Sequence, residues 1–431
     1  MSKKSVVPKL RFPEFCAGWE LMPFDKFFDF HQTNTFSRNE MNIKNGKVKN
    51  IHYGDVLIKY DCVIDNTSII PYINEGVDLA RFREISYLLN GDIIIADTAE
   101  DLTAGKAVEI QNIDCFILAG LHTMLCRPKN ISAPNFFGYY LNSSAYHNSV
   151  KPLLTGTKVY SISKSNIKKT NIVIPEFSEQ QKIADCLTSL DELITAELNK
   201  LAFLKTHKKG LMQKLFPAEG KTVPEWRFLE FINDEKWKRR KISEITSYVD
   251  YRGKTPKKSE NGIFLVTAKN VKMGYIDYPV SQEFIPISNY DEVMRRGLPK
   301  IGDVIITTEA PLGNVAQIDK TDIALAQRII KYRGNKTILD NTYLKFVFLS
   351  PKFQSILLSK STGGTVKGIK GSVLHELIID VPHMTEQQKI ADCLSAIDDK
   401  ITAQAEKIET LKQHKKGLMQ GLFPSAQEVM E

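Results

Sequence analysis

What the sequence lacks narrows the field before anything in it is read. No apolar run approaches the roughly 18 residues that a membrane-crossing helix needs. The basic opening MSKKSVVPKLRFPEF carries no apolar stretch of the kind a secretory signal requires. A cytoplasmic protein is expected. Cysteine is sparse: Cys16, Cys62, Cys115, Cys126, Cys186 and Cys393 lie far apart, without a Cys-x-x-Cys pair or a Cys/His spacing that closes a zinc site. Reduced thiols and no metal site are expected. Gly-Lys-Thr occurs at residues 220–222 and 253–255, but the Gly that a phosphate loop needs five residues earlier is Leu215 or Tyr248. A Gly-rich methyl-donor loop and an NPPY-like or DPPY-like tetrapeptide are missing too, so no catalytic residue is assigned.

What is present is ordinary globular material. The 431 residues are 42% hydrophobic and 25% charged, which excludes wholesale disorder and, at about 150 residues per domain, implies two or three domains. A formal net charge of +8 mildly favours a polyanionic partner. Acidic clusters at Asp97, Glu100 and Asp101, and at Asp303 and Glu309, raise a metal-dependent nuclease as an alternative. Such a site pairs two carboxylates with a nearby Lys. The two clusters differ in spacing, and Glu309 is followed by Ala310 and Pro311, which argues against such a site.

An internal repeat organises the chain. Residues 175–217 align without gaps to residues 382–424, an offset of 207, with 27 of 43 positions identical. The same offset sets TGTKVYSISKSNIKKTNIVIP over TGGTVKGIKGSVLHELIIDVP with few matches. Further upstream GDIIIADTAEDLTAGKAVEI resembles GDVIITTEAPLGNVAQI, and RFPEF resembles RFLEF. The order is variable domain, shared segment, variable domain, shared segment. The boundaries fall at 1–174, 175–217, 218–381 and 382–424, with a tail at 425–431.

Each shared segment reads as a long helix. Ile183, Leu187, Leu190, Ile194, Leu201, Leu204, Leu211 and Leu215 recur at steps of four and three, interrupted by Glu197 and Lys208. Ile390, Leu394, Ile397, Ile401, Ile408, Leu411, Leu418 and Leu422 repeat the stripe. Ser178 with Gln181, and Thr385 with Gln388, fit a capping box, while Pro217 and Pro424 end the helices. One amphipathic helix alone would be expected to pack on its own domain. Two near-identical stripes can bury each other, and a two-fold relation across them makes the pair antiparallel. About 36 helical residues at 1.5 Å each make a rod on the order of 50 Å. The variable domains read as mixed α/β: GDIIIADT, KAVEI, NIVIP, GIFLVTAKNV, GDVIITT and NVAQI as strands, NFFGYYLNSSAYHNSV and NTYLKFVFLSPKFQSIL as helices.

Basic and amide side chains lie beside the strand ends: Arg38 with Asn39, Arg252 with Lys254, Lys269 with Asn270, Arg295 with Arg296, Gln327 with Arg328. Arg can read guanine, and Asn or Gln can read adenine, through paired hydrogen bonds.

The duplicated EQQKIADCL and HKKGLMQ-x-LFP segments, each trailing a variable domain, closely resemble the specificity subunit of type I restriction-modification systems. YRGKTP, TAKNVK, GDVIITTEAPLG and ALAQR look like one class of target recognition domain, and GDIIIADTAED with AGLHT like another. The resemblance covers nearly the whole chain. It implies an α+β fold, with two mixed α/β target recognition domains joined by two long antiparallel helices that form a pseudo-two-fold symmetric coiled coil. It also implies a non-catalytic DNA reader, each domain binding one half of a split double-stranded site. The helices would set the spacer and dock two methyltransferase subunits, with restriction subunits completing the complex. S-adenosylmethionine, ATP and Mg2+ would belong to those partners. A purely structural coiled-coil protein is the other alternative.

On this reading Thr98, His122, Lys158, Tyr160 and Lys164 join Arg38 and Asn39 against DNA in the first domain. Thr267, Thr308, Lys367 and Lys370 join Arg252, Lys269, Asn270, Gln327 and Arg328 in the second. Partner docking is expected of Gln180, Gln181, Lys182, His207, Lys208 and Lys209, and of their repeats Gln387, Gln388, Lys389, His414, Lys415 and Lys416.

Overall fold

The structure is a computed structural model that describes residues 6–251 and 256–425. The chain forms two compact units: residues up to Leu198 together with those from Glu406 onward, and Asn199–Ala405. Neither unit is one continuous stretch, because both long helices change unit near their middles.

Unit 1 is rich in short strands, among them β1 (Phe28–His31), β2 (Val48–Ile51), β3 (Val63–Ile64), β4 (Ile93–Ala96), β5 (Thr98–Ala99), β6 (Ala107–Ile110), β7 (Phe116–Ala119), β8 (Thr123–Pro128) and β9 (Tyr160–Ser161). The main sheet has the order β1-β8-β4-β6-β3. Every residue of β4 and β6 is buried, which is why IIIA reads as an unbroken apolar run instead of an alternation. Beside it β7 pairs in parallel with β2, Phe116 opposite Val48 and Ala119 opposite Ile51. Helices α1 (Phe136–Asn142) and α2 (Ser144–Val150) supply Phe136, Phe137, Tyr140 and Tyr146 to the core against Ile93 and Ile95. Gly138 lets α1 approach the sheet: a Cβ there would lie 2.5 Å from the Cys62 carbonyl oxygen.

Unit 2 repeats the plan with β10 (Thr246–Asp250), β11 (Ile263–Val266), β12 (Val304–Thr308), β13 (Leu312–Gln317), β14 (Ile323–Leu325) and β15 (Ile329–Gly334), followed by α3 (Asn341–Leu349) and α4 (Pro351–Ser359). The order β10-β15-β12-β13 matches β1-β8-β4-β6, and β14 runs parallel to β11 as β7 does to β2.

The long helices span Phe177–Lys214 and Met384–Leu422. In unit 1 the start of the first packs with the end of the second: Ile183, Ala184 and Leu187 share a core with Leu422 and Phe423, while Asp191 meets Lys415 and Glu197 meets Lys407. Partner numbers fall as those of the first helix rise, so the two run antiparallel. In unit 2 Lys208 meets Asp398, and Met212 and Leu215 share a core with Ile390, Ala391 and Leu394, in the same sense. The two readings of the stripe therefore both hold. The ends of each helix pack on a domain, and the helices also pack on each other. The polar interruptions Glu197 and Lys208 pair with charges on the opposite helix.

The helix starts differ from the sequence expectation. Ser178 and Thr385 lie inside the first turn, and their hydroxyls meet Glu176 and His383, so no capping box forms. The carboxamides of Gln180 and Gln387 donate instead to the carbonyls of Pro175 and Pro382, at 2.9 Å in both copies. RFPEF and RFLEF also gain a role. Arg11 clasps buried Glu179 through two bonds of 2.8 Å, and Arg227 clasps buried Glu386 at 2.8 and 2.7 Å. Each guanidinium fork ties the chain entering a domain to the helix leaving it. No helix among the described residues is long and apolar enough to cross a membrane.

Candidate nucleic-acid interface

In each unit three chain segments meet at one rim. In unit 1 the end of β4 leads into Asp97 and Thr98, and the Asp97 N–H donates to the His122 carbonyl at 3.0 Å. The loop between Thr155 and Ser161 closes on itself, and β9 pairs antiparallel with β5, Tyr160 opposite Ala99 and Ser161 opposite Thr98. The Ile162 N–H then donates to the Asp97 carbonyl at 2.8 Å.

Unit 2 has the same scaffold. The Thr308 N–H donates to the Arg328 carbonyl at 2.8 Å, and the Ile369 N–H donates to Thr308 at 3.0 Å. Thr362 bridges Gly368, and Gly368 bridges Glu309. His122 and Arg328 both precede an equivalent strand, β8 or β15, and both have left-handed backbone, φ 52° and 73°. Non-glycine residues seldom adopt that region, and where they do the surroundings must hold them there. Here the rim hydrogen bonds do so, turning each side chain outward. His122 and Arg328 are about half exposed.

Further side chains extend the rim in unit 1. Tyr53 packs edge-on against the His122 ring at 5.3 Å and beside His52 at 4.6 Å. His52 accepts from the Gly54 N–H at 3.2 Å. Burial, and after it the Arg38 charge, lowers its pKa and favours the neutral ring that can accept. Arg38 donates to Asp55 at 2.7 Å, beside Gly54. Arg38, Thr98, His122 and Tyr160 are thus brought to one edge, while Asn39 is exposed next to Arg38 and Lys158 is exposed in the closing loop. His52 and Tyr53 were not singled out in the sequence. Their signal was positional, since they follow the buried strand β2 as Thr267 follows β11.

Lys164 sits elsewhere. Its ammonium lies 4.7 Å from the Phe30 ring on β1, and its pKa is lowered by partial burial and then by Lys168. In unit 2 Lys269 is exposed at the tip of a turn, Gln327 is half-buried beside Arg328, and Lys367 and Lys370 are exposed on either side of Gly368 and Ile369. Arg252 and Lys254 lie outside the described residues. Of the other basic pair, Arg296 donates to the Asp250 carbonyl at 2.8 Å, and Arg295 is exposed.

Several sequence expectations need correction. Asn270 is fully buried: it accepts from the Thr267 N–H and hydroxyl and donates to the carbonyls of Asp277 and Ser281, so its amide shapes the turn and has nothing left for a base. Thr308 is buried too, its hydroxyl 3.3 Å from the Arg328 carbonyl, and serves as scaffold. Among the docking residues Gln180 and Gln387 are buried, accepting from the N–H groups of Ala133 and Asp340. Lys415 is buried between Asp61 and Asp191. Lys208 is mostly covered beside Asp398.

The remaining docking residues stay on the surface. Gln181 and Gln388 bond Asp185 and Asp392 one turn on, and Lys182 and Lys389 face Glu14 and Glu230. His207 stacks on Phe203, and Lys209, His414 and Lys416 are exposed.

The acidic clusters are separately engaged. Asp303 is buried against Arg333 and Lys331, Asp101 bonds Thr103, and Glu309 faces Arg328. Among the described residues no group of three or more His, Cys, Asp or Glu is placed to hold a metal ion.

Residues 17–205 and 234–413 each match the family described as the type I restriction modification DNA specificity domain. Among curated proteins, the type I restriction enzyme MjaX specificity subunit of Methanocaldococcus jannaschii is 25% identical over 358 residues, covering 79% of both chains. The EcoKI specificity subunit of Escherichia coli K12 is 23% identical over 311 residues, covering 69% of this chain and 66% of that one. Among solved structures, the type I system S subunit of M. genitalium superposes with a TM-score of 0.57 at 15% identity, over 97% of this chain and 99% of that one. A chain from a study of complex assembly and conformational transition of the type I system gives the same score and identity over 95% and 99%.

Proposed function

Because the chain belongs to the family of type I restriction-modification DNA specificity domains, we propose that each unit lays its rim on one half of a split double-stranded DNA site. The chain is the specificity subunit of such a system and not its catalytic component. One observation carries the detailed reading: the same three-segment scaffold recurs with different outward side chains, as two readers of two different half-sites require. Arg328 supplies a donor fork suited to guanine, and Lys158, Lys269 and Lys367 supply charge for phosphates.

The near-identical helices offer two copies of one surface to two copies of one methyltransferase subunit, and restriction subunits complete the assembly. S-adenosylmethionine, ATP and Mg2+ act on those partners. The complex works in the cytoplasm, where the DNA is. The helices also set the gap between the half-sites.

The test is methylation mapping in a host that expresses this chain with its methyltransferase. A bipartite asymmetric site supports the reading, and methylation or cleavage by the purified chain alone contradicts it. Inserting four residues within 195–198 adds about one helical turn, roughly 5 to 6 Å. At about 3.4 Å per base pair the spacer should grow by one or two base pairs, with both half-sites unchanged. An active complex that kept the original spacer would leave the helices as a docking surface only.

A further inference from the structure

The hydrogen-bond network around His122 specifies more than its position. The Thr98 hydroxyl donates to Asp97 Oδ1 at 2.7 Å. His122 Nδ1 lies 3.2 Å from that carboxylate oxygen and 3.4 Å from the Thr98 oxygen. A carboxylate only accepts, and the hydroxyl proton is already directed at Asp97, so Nδ1 must carry the ring proton and donate. In the neutral ring Nε2 then holds a lone pair. Tyr53, edge-on to the ring, fixes its plane.

Arg328 occupies the equivalent left-handed position in unit 2 with the opposite hydrogen-bonding character, since a guanidinium has donors and no acceptor. In the major groove, guanine offers acceptors at N7 and O6. The hydrogen-bond donors are the amino groups of adenine N6 and cytosine N4.

We propose that His122 is the counterpart of Arg328 as a base-reading side chain, and that through Nε2 it accepts a hydrogen bond from the exocyclic amino group of an adenine or cytosine in the half-site of unit 1. The assignment rests on the DNA-reading function above and adds the atom and the class of base.

The experiment maps methylated sites for the chain co-expressed with its methyltransferase. Arg328→Ala first identifies which half-site belongs to unit 2. His122→Ala should then relax one adenine or cytosine position of the other half-site, lowering discrimination there by about 2- to 13-fold, as loss of a single hydrogen bond does. His122→Arg should move that position towards guanine. The unchanged half-site of unit 2 reports that each variant is folded and assembled. If both His122 variants keep the original half-site, or if His122→Ala weakens modification of every sequence equally, the proposal is overturned. A wild-type complex without a bipartite site would instead overturn the underlying reading.

Discussion

Where unit 1 carries Asp97 and Thr98 after its buried strand, unit 2 carries Thr308 and Glu309, and His122 in the first stands where Arg328 does in the second. Around these differences the backbone hydrogen bonds are the same, 3.0 and 2.8 Å from the strand end to the left-handed residue. The Arg–Glu clasps repeat too, as do the Gln180 and Gln387 bonds. Buried groups can satisfy their polar atoms in few ways, so the scaffold is shared. Outward side chains on that scaffold answer only to what they touch, and they diverge.

The comparison breaks most sharply at the clasps. Glu179 and Glu386 are each 1% exposed, and removing one strands a largely covered guanidinium. Glu179→Ala and Glu386→Ala should each cost about 3 to 5 kcal/mol in their own unit. Hydrogen exchange resolved by unit checks this, and unequal losses would mean that the frame is not energetically equivalent.

A second difference lies inside the frame. Glu109 on β6 and Gln317 on β13 occupy matching positions. Glu109 accepts from the N–H groups of Asn135 and Gly138 and from Gln111, whereas Gln317 donates to Gly302 and Thr342. Burial pushes the Glu109 carboxyl up to about 7 from 4.5, outweighing those donors. The folded state therefore holds this proton more tightly than the unfolded chain. The resulting stabilisation is fully present below pH 4.5 and is lost as pH rises through 7, about 3 kcal/mol in all. Unit 2 lacks this contribution. Glu109→Gln should flatten the pH dependence of unit 1 in urea unfolding between pH 4.5 and 8, and an unchanged slope would assign it to other groups.

The smallest effect sharpens the comparison at the rim. Arg328→Ala should cost about 1 to 3 kcal/mol for the cognate half-site alone. Competition binding against half-site variants measures it, and an equal loss on all sequences would make Arg328 a phosphate contact. Asn270→Ala should lower the stability of unit 2 by roughly 1 to 3 kcal/mol, because the Thr267 N–H loses its acceptor.

The sequence by itself determined the repeat, the two long helices, the strand-rich character of both domains and the family, since these rest on periodicity and on local identity at a 207-residue offset. It also supplied Arg328, through its pairing with Gln327, and His122, through the resemblance carried by AGLHT, as candidates. Tertiary structure alone decided which side chains face outward. Asn270 and Lys269 are neighbours of similar polarity, yet one closes a turn from inside and the other points to solvent. Lys415 and Lys416 divide in the same way, because Asp61, distant in sequence, reaches only the first. It was tertiary structure, too, that made Tyr53 a neighbour of His122 and showed that Arg11 answers Glu179. Burial and hydrogen-bond satisfaction depend on residues far along the chain, and no local pattern encodes those partners.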